Sequence, residues 1–187
     1  DSIELGATIA VLMEAGEGAF GDLPFMQACL TEIRSGSEKG QLYASGTARV
    51  GAALKVSRVP VIKKQAISAY DPRVVEVTGI SMMLTAQGAD HTVGNAPSFK
   101  CDDKSIAELV AESLRMQINS AVADSVGLCV FGRSVTDDNL KLIADAINDA
   151  FDAGVDPEFI RHIAFETLRL EAAFNKAAGF DLSLIHI

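Results

Sequence analysis

Five apolar residues recur at every fourth position in one stretch of this chain: Ile106, Val110, Leu114, Ile118 and Val122. Residues four apart lie on the same side of an α-helix, so the spacing predicts one apolar helix face. Ser105 followed by Glu108 is a capping-box pattern that starts the helix. Gly127 stands where a helix C-terminus needs a left-handed residue. The prediction is a helix from Ser105 to about Asp124. A helix of that length must bury its apolar face against other elements.

The rest of the chain supplies such partners. Ile3, Ala7, Ala10, Val11 and Glu14 fall at helical spacing, and Gly16 ends that helix. Pro24 opens a second helix, which passes through Phe25, Ala28, Cys29 and Ile33 to Gly36. A third is expected over residues 40–55, weakened by Gly46 and Gly51. Residues 59–67 read as an extended segment or short strand, with Lys63-Lys64 as a solvated turn. Asp71-Pro72 marks a turn and a helix start. Residues 74–85 are apolar without a decisive period, though Met82 and Met83 read as core. Residues 86–100 form a loop rich in Gly, Asn and Pro, too long for a plain connector. Leu140, Ile143, Ala144, Ile147 and Phe151 line a further helix that stops at Gly154. Asp156-Pro157-Glu158 caps and opens the last one, which carries Phe159, Ile160, Ile163, Leu168 and Phe174. The fold class expected is mostly α.

Composition narrows the function. Lys and Arg number 16 against 25 Asp and Glu, a net charge of −9. A nucleic-acid binder needs a concentrated positive face, which this balance disfavours. No run of about 18 apolar residues predicts a membrane-spanning helix. No basic segment followed by an apolar one predicts a secretory leader. The first residues read as mid-protein sequence, so an internal fragment is expected. Cys29, Cys101 and Cys129 are odd in number and widely spaced, which predicts reduced thiols rather than a disulfide framework.

Two segments carry chemistry. In Gly88-Ala89-Asp90-His91-Thr92 a histidine follows an aspartate inside a glycine-flanked loop. His91 there is either a proton donor and acceptor near neutral pH or an ordinary surface histidine. In Asp124-Ser125-Val126-Gly127-Leu128-Cys129 an acid sits at a helix C-terminus, which already carries partial negative charge. Gly127 turns the chain and aims Cys129 away from the helix. Either the acid meets a compensating group, or the segment is a plain helix end with a structural cysteine.

Together with Ala69-Tyr70-Asp71-Pro72-Arg73, these segments resemble the landmarks of the aldehyde ferredoxin oxidoreductase family, tungsten-pterin enzymes of anaerobes. Gln87-Gly88-Ala89-Asp90-His91 resembles its R-G-A-(C/D)-H loop, and residues 124–129 its D-x-x-G-L-C motif. The order matches the family's, with His91 and Cys129 separated by 38 positions. The resemblance extends from Asp1 to about Gly179. It implies that Asp124 binds a pterin edge, where a carboxylate meets N–H donors. It implies that Cys129 is the single remote thiolate of a [4Fe–4S] cluster, with the Leu128 amide between the two. His91 would then stand near the metal, handling a proton or orienting substrate. Asp1 and Ser2 match the end of a second pterin motif, D-x-x-G-L-D-x. Gln87 replaces the family's usual Arg, and Ser68 a common Pro. The family's upstream cysteine triplet, its catalytic Glu and its pterin-cradling β domain have no counterpart in this chain.

The expected function is that of a fragment of a tungsten- or molybdenum-bispterin oxidoreductase, inactive by itself. It would oxidise an aldehyde to a carboxylic acid, with electrons passing through the [4Fe–4S] cluster to ferredoxin. A Mg2+ ion bridging the pterins belongs to the same expectation. The alternatives are a member with another substrate, such as aromatic acyl-thioester reduction, or a non-catalytic helical interaction domain. The fold implied is parts of two packed helical domains: residues 1–75 of a middle domain and 76–180 of a C-terminal domain, then a non-matching tail at 181–187. Small aldehyde and ferredoxin are the expected partners, with no nucleic acid and no membrane, in a cytoplasmic protein forming a homodimer.

Overall fold

The computed structural model describes residues 1–180. The expectation of a non-matching tail at 181–187 lies outside the described residues. The described chain is mostly helical, as expected, with one two-stranded antiparallel ladder. Its described residues divide into two compact units: residues 1–71 with 88–90, and residues 72–87 with 91–180.

The first unit contains α1 (Ser2–Glu14), α2 (Leu23–Ser35), α3 (Glu38–Ala44) and α4 (Thr47–Ala53). It also holds β1 (Val61–Ile62) and β2 (Gln65–Ala66). Its core joins Val11, Leu12 and Met13 of α1 to Cys29, Tyr43 and Val50. Cys29 is a buried apolar residue, the usual fate of a free cysteine. The third expected helix is two helices rather than one. Gly46 adopts φ 95°, a conformation that no helix interior accepts, and the chain breaks there. Gly46 caps α4 without a side chain. Glu4 of α1 replaces the missing cap. Its Oε1 accepts from Thr47 N at 2.7 Å and its Oε2 from Ala66 N at 2.9 Å. Thr47 Oγ1 donates to the Glu4 carbonyl at 3.1 Å. One carboxylate therefore ties α1, α4 and β2 together.

The second unit contains α5 (Glu76–Leu84), α6 (Ile106–Ser125), a 3-10 turn (Val130–Gly132), α7 (Arg133–Thr136), α8 (Leu140–Phe151) and α9 (Pro157–Ala177). Residues 74–85, ambiguous by pattern, resolve to α5. Ile118, Ala121 and Val122 of α6 pack on Leu140, Ile143 and Ala144 of α8 and on Ile160 and Ala164 of α9. A smaller cluster joins Val77 of α5, Ala96 and Leu109.

The predicted face of α6 is corrected over its first half. Ile106, Val110 and Leu114 are 80%, 45% and 43% exposed, and Leu109, Ser113 and Gln117 are buried instead. Each step of four residues advances the side chain by about 40° around a helix of 3.6 residues per turn. Four such steps rotate it by about 160°, so a strict fourth-residue row spirals off any single core. Only its end, Ile118 and Val122, reaches one. Phe151 and Phe174, read as members of apolar faces, are likewise exposed.

α9 begins as its sequence predicts. Asp156 caps it, accepting from Phe159 N at 2.8 Å, with Pro157 in the first turn. Asp156→Ala is expected to lower stability by about 1 kcal/mol, seen as a smaller urea midpoint with an unchanged slope.

Candidate cofactor site

The end of α6 is built by its glycine. Gly127 takes φ 71°. Its N–H bonds the Asp124 carbonyl at 3.4 Å, and Leu128 N–H bonds the Ala123 carbonyl at 2.8 Å. This pair of bonds is a Schellman cap, completed by Leu128 packing on the α6–α8–α9 core. A Cβ added at Gly127 would meet nothing within 4 Å, so the turn is open on its outer side and φ alone demands glycine. The cap leaves Asp124 exposed on the last turn of α6 and Cys129 exposed just past it. Cys129 also heads the 3-10 turn, its carbonyl accepting from Gly132 N at 2.9 Å. Leu128 lies between the acid and the thiol, and its N–H donates to the Ala123 carbonyl as part of the cap.

The His91 loop is fixed at both ends. Gly88 adopts φ 84°, and a Cβ there would lie 3.1 Å from Lys63 Cβ and 3.3 Å from the Ile62 carbonyl. Gly94 adopts φ 101°, and its Cβ would lie 2.8 Å from Gln117 Cγ and 3.1 Å from Ser81 Oγ. Only glycine fits either approach. Beyond Gly94, Asn95 Oδ1 accepts from Thr78 Oγ1 at 2.9 Å, and Ala96 N donates to the same hydroxyl at 3.1 Å. Ser81 and Ser113 hydroxyls bond at 2.8 Å, joining α5 to α6 beneath the loop. His91 itself is exposed in the turn that follows Asp90.

The loop reaches the end of α6. Gln87 and Val93, on either side of His91, line a small cavity with Asp124. Ser120, Gln117 and Glu171 line it too. Burial pushes the Glu171 carboxyl above its ordinary value, and the charge of Asp124 pushes the same way. Sequence reasoning missed Glu171 and Ser120. Their meeting depends on how α9 packs against α6, and neither belongs to a local motif.

Asp1 and Ser2 lie in the first unit. Asp1 is the N-cap of α1, and its Oδ1 accepts from Ile3 N at 2.8 Å and Glu4 N at 3.2 Å. Ser2 is exposed in the first turn. Cys101 is half-buried in the loop before α6. Among the described residues no group of three His, Cys, Asp or Glu could by itself hold a metal ion. No described helix is long and apolar enough to cross a membrane.

These features define a helical protein that presents an acid, a thiol and a histidine from a capped helix end and a pinned loop. The chain belongs to the aldehyde ferredoxin oxidoreductase family: the family model for aldehyde ferredoxin oxidoreductase, domains 2 & 3, matches residues 1–184. It is 27% identical to the tungsten-containing aldehyde ferredoxin oxidoreductase of Pyrococcus horikoshii, over 97% of this chain and 34% of that protein. It is 26% identical to the protein of the same name from Pyrococcus abyssi, over the same shares. The chain thus spans about a third of the length of the curated relatives it matches.

Proposed function

We propose that this chain is the helical part of a tungsten- or molybdenum-bispterin oxidoreductase that oxidises aldehydes to carboxylic acids. The observation that carries the reading is the glycine-capped end of α6. It exposes a carboxylate and a thiol five positions apart, with the His91 loop brought alongside. The donor set fits the groups the reading requires. An ionised Asp124 is acceptor-only and suits the N–H edge of a pterin. That contact would also offset the unfavourable placing of an acid at a helix C-terminus. A lone exposed thiol suits one remote corner of a [4Fe–4S] cluster whose other ligands come from elsewhere in the protein.

These placements support the following roles. Asp124 would bind and orient one pterin, and Cys129, across the Leu128-anchored turn, would hold one corner of the cluster. Asp1 and Ser2 meet the second pterin at the open end of α1, where the second oxygen of Asp1 is spared by the cap. His91 moves a proton at its imidazole or orients the substrate carbonyl. When bound, the metal would supply the two-electron chemistry and the cluster a one-electron path to ferredoxin. Residues 1–75 and 76–180 are the portions of the middle and C-terminal domains. A Mg2+ ion between the pterins, a homodimer and a cytoplasmic setting complete the proposal.

Asp124→Asn keeps the shape of the side chain and removes its charge. Purified without oxygen beside the parent protein, the variant is expected to lose tungsten or molybdenum by about tenfold or more. Full metal content in this variant contradicts the assignment.

A further inference from the structure

The cavity beside Asp124 has a volume of about 30 Å3. A single water needs roughly 10–15 Å3 and two to four polar partners. Ser120, Asp124 and Glu171 are among the polar residues that line this cavity. Ser120 is only 6% exposed, and its Oγ finds no hydrogen-bond partner in the protein. A buried hydroxyl without a partner is unfavourable, and buried polar groups of this kind commonly bind an ordered water.

The cavity also lacks positive charge. From α6, Asp124 faces it with the uncharged Gln117 and Ser120. From α9 come Glu171 with Thr167 and Leu168, and from the loop after α5 come Thr85, Gln87 and Val93. Two carboxyls that share one small space with no basic residue do not both ionise readily. Burial and the charge of Asp124 both raise the Glu171 carboxyl, so its protonated form is favoured relative to a carboxyl in water.

We propose that Glu171 is a positioning residue for Asp124: its carboxyl donates to a water seated on Ser120 Oγ, and that water donates to the Asp124 carboxylate. The water accepts one hydrogen bond, from Glu171. It gives two, to Asp124 and to Ser120. The carboxylate of Asp124 is thereby held toward its open side. The hydrogen-bonded group stands on the cavity alone; its use in holding a cofactor rests on the reading of Asp124 as a pterin contact.

The pH dependence has a definite sign. A carboxyl whose folded value lies above its unfolded value of 4.5 contributes stability in full below that value. The contribution is lost as pH rises through the folded value. The test is thermal unfolding of the intact protein between about pH 5 and about pH 8, with tungsten content measured on the same samples. The parent protein is expected to melt at lower temperature as pH rises. Glu171→Gln, a neutral donor at every pH, is expected to flatten that slope and keep its metal. Glu171→Ala is expected to flatten the slope and to lose metal by about tenfold or more. A parental slope in Glu171→Gln, or parental metal content in Glu171→Ala, overturns the proposal. Asp124→Asn separates the two readings. Full metal in that variant defeats the pterin contact, whereas an unflattened slope in Glu171→Gln defeats the hydrogen bond.

Discussion

Cys129→Ala is expected to remove the iron of the cluster while leaving the fold in place. Cys129 is exposed at the head of a 3-10 turn, and its backbone carbonyl, not its thiol, takes part in that turn. Alanine accepts the same backbone conformation, so little stability is at stake. A cubane cluster that loses one of its four thiolates loses the bond that fixes one iron. Electron transfer from the metal should then fall to background if the thiol is, as proposed, the ligand this chain brings to the cluster. Iron analysis and the visible absorption of the cluster check the prediction. Cys101→Ala is the matched control, because Cys101 lies half-buried in a different loop and should leave iron unchanged. Equal iron in the parent and in Cys129→Ala contradicts the ligand assignment.

The second large effect concerns Glu4. Its carboxylate serves two backbone N–H groups, those of Thr47 and Ala66, and both residues are fully or nearly fully buried. Glu4→Ala leaves both donors without a partner and α4 without a cap. Each lost charge-assisted bond is worth about 1.5–3 kcal/mol, so a loss of about 3 kcal/mol or more is expected. Burial by itself would raise the Glu4 carboxyl, but the N–H groups of Ala66 and Thr47 outweigh it and hold the value below the usual 4.5. The sign follows from that depression. The stabilisation is present above the unfolded value near 4.5 and is lost as pH falls through the lower folded value. Acid unfolding followed by amide hydrogen exchange at Thr47 and Ala66 measures it. The parent protein should lose protection at these two amides on acidification, and Glu4→Ala should lack it at neutral pH. Parental protection in the variant contradicts the role.

Local chemistry was legible in the chain, and long-range chemistry was not. Asp156 with Pro157, Ser105 with Glu108, and Gly127 each act within a few residues, and each does in the structure what its sequence signals. The Lys63-Lys64 turn also forms where it was read, between two short paired strands. The break at Gly46 was visible only as a weak point in one helix. What turned it into a boundary was a distant partner, Glu4, that caps the following segment from α1. The apolar row of α6 misled because a fourth-residue repeat is close to helical spacing but not equal to it. The buried face there follows Leu109, Ser113 and Gln117, two of them polar, and their burial is explained by hydroxyl and amide bonds across to α5 and within α6.

The candidate site divides in the same way. Asp124, Gly127 and Cys129 form a contiguous motif whose geometry a glycine cap dictates, so the residues could be named in advance. Glu171 lies 47 positions beyond Asp124 and meets its cavity only through helix packing. The pinning of the His91 loop by Gly88 and Gly94 is intermediate. The glycines were conspicuous in the sequence, but the close approaches that require them are made to Lys63, Ser81 and Gln117.

The most direct test of the account is the metal content of the intact protein, purified without oxygen. Tungsten, molybdenum and iron are measured per polypeptide. About four irons, as one [4Fe–4S] cluster requires, are expected together with one tungsten or one molybdenum. Protein grown with both heavy metals and iron supplied, yet carrying none of the three, would contradict it.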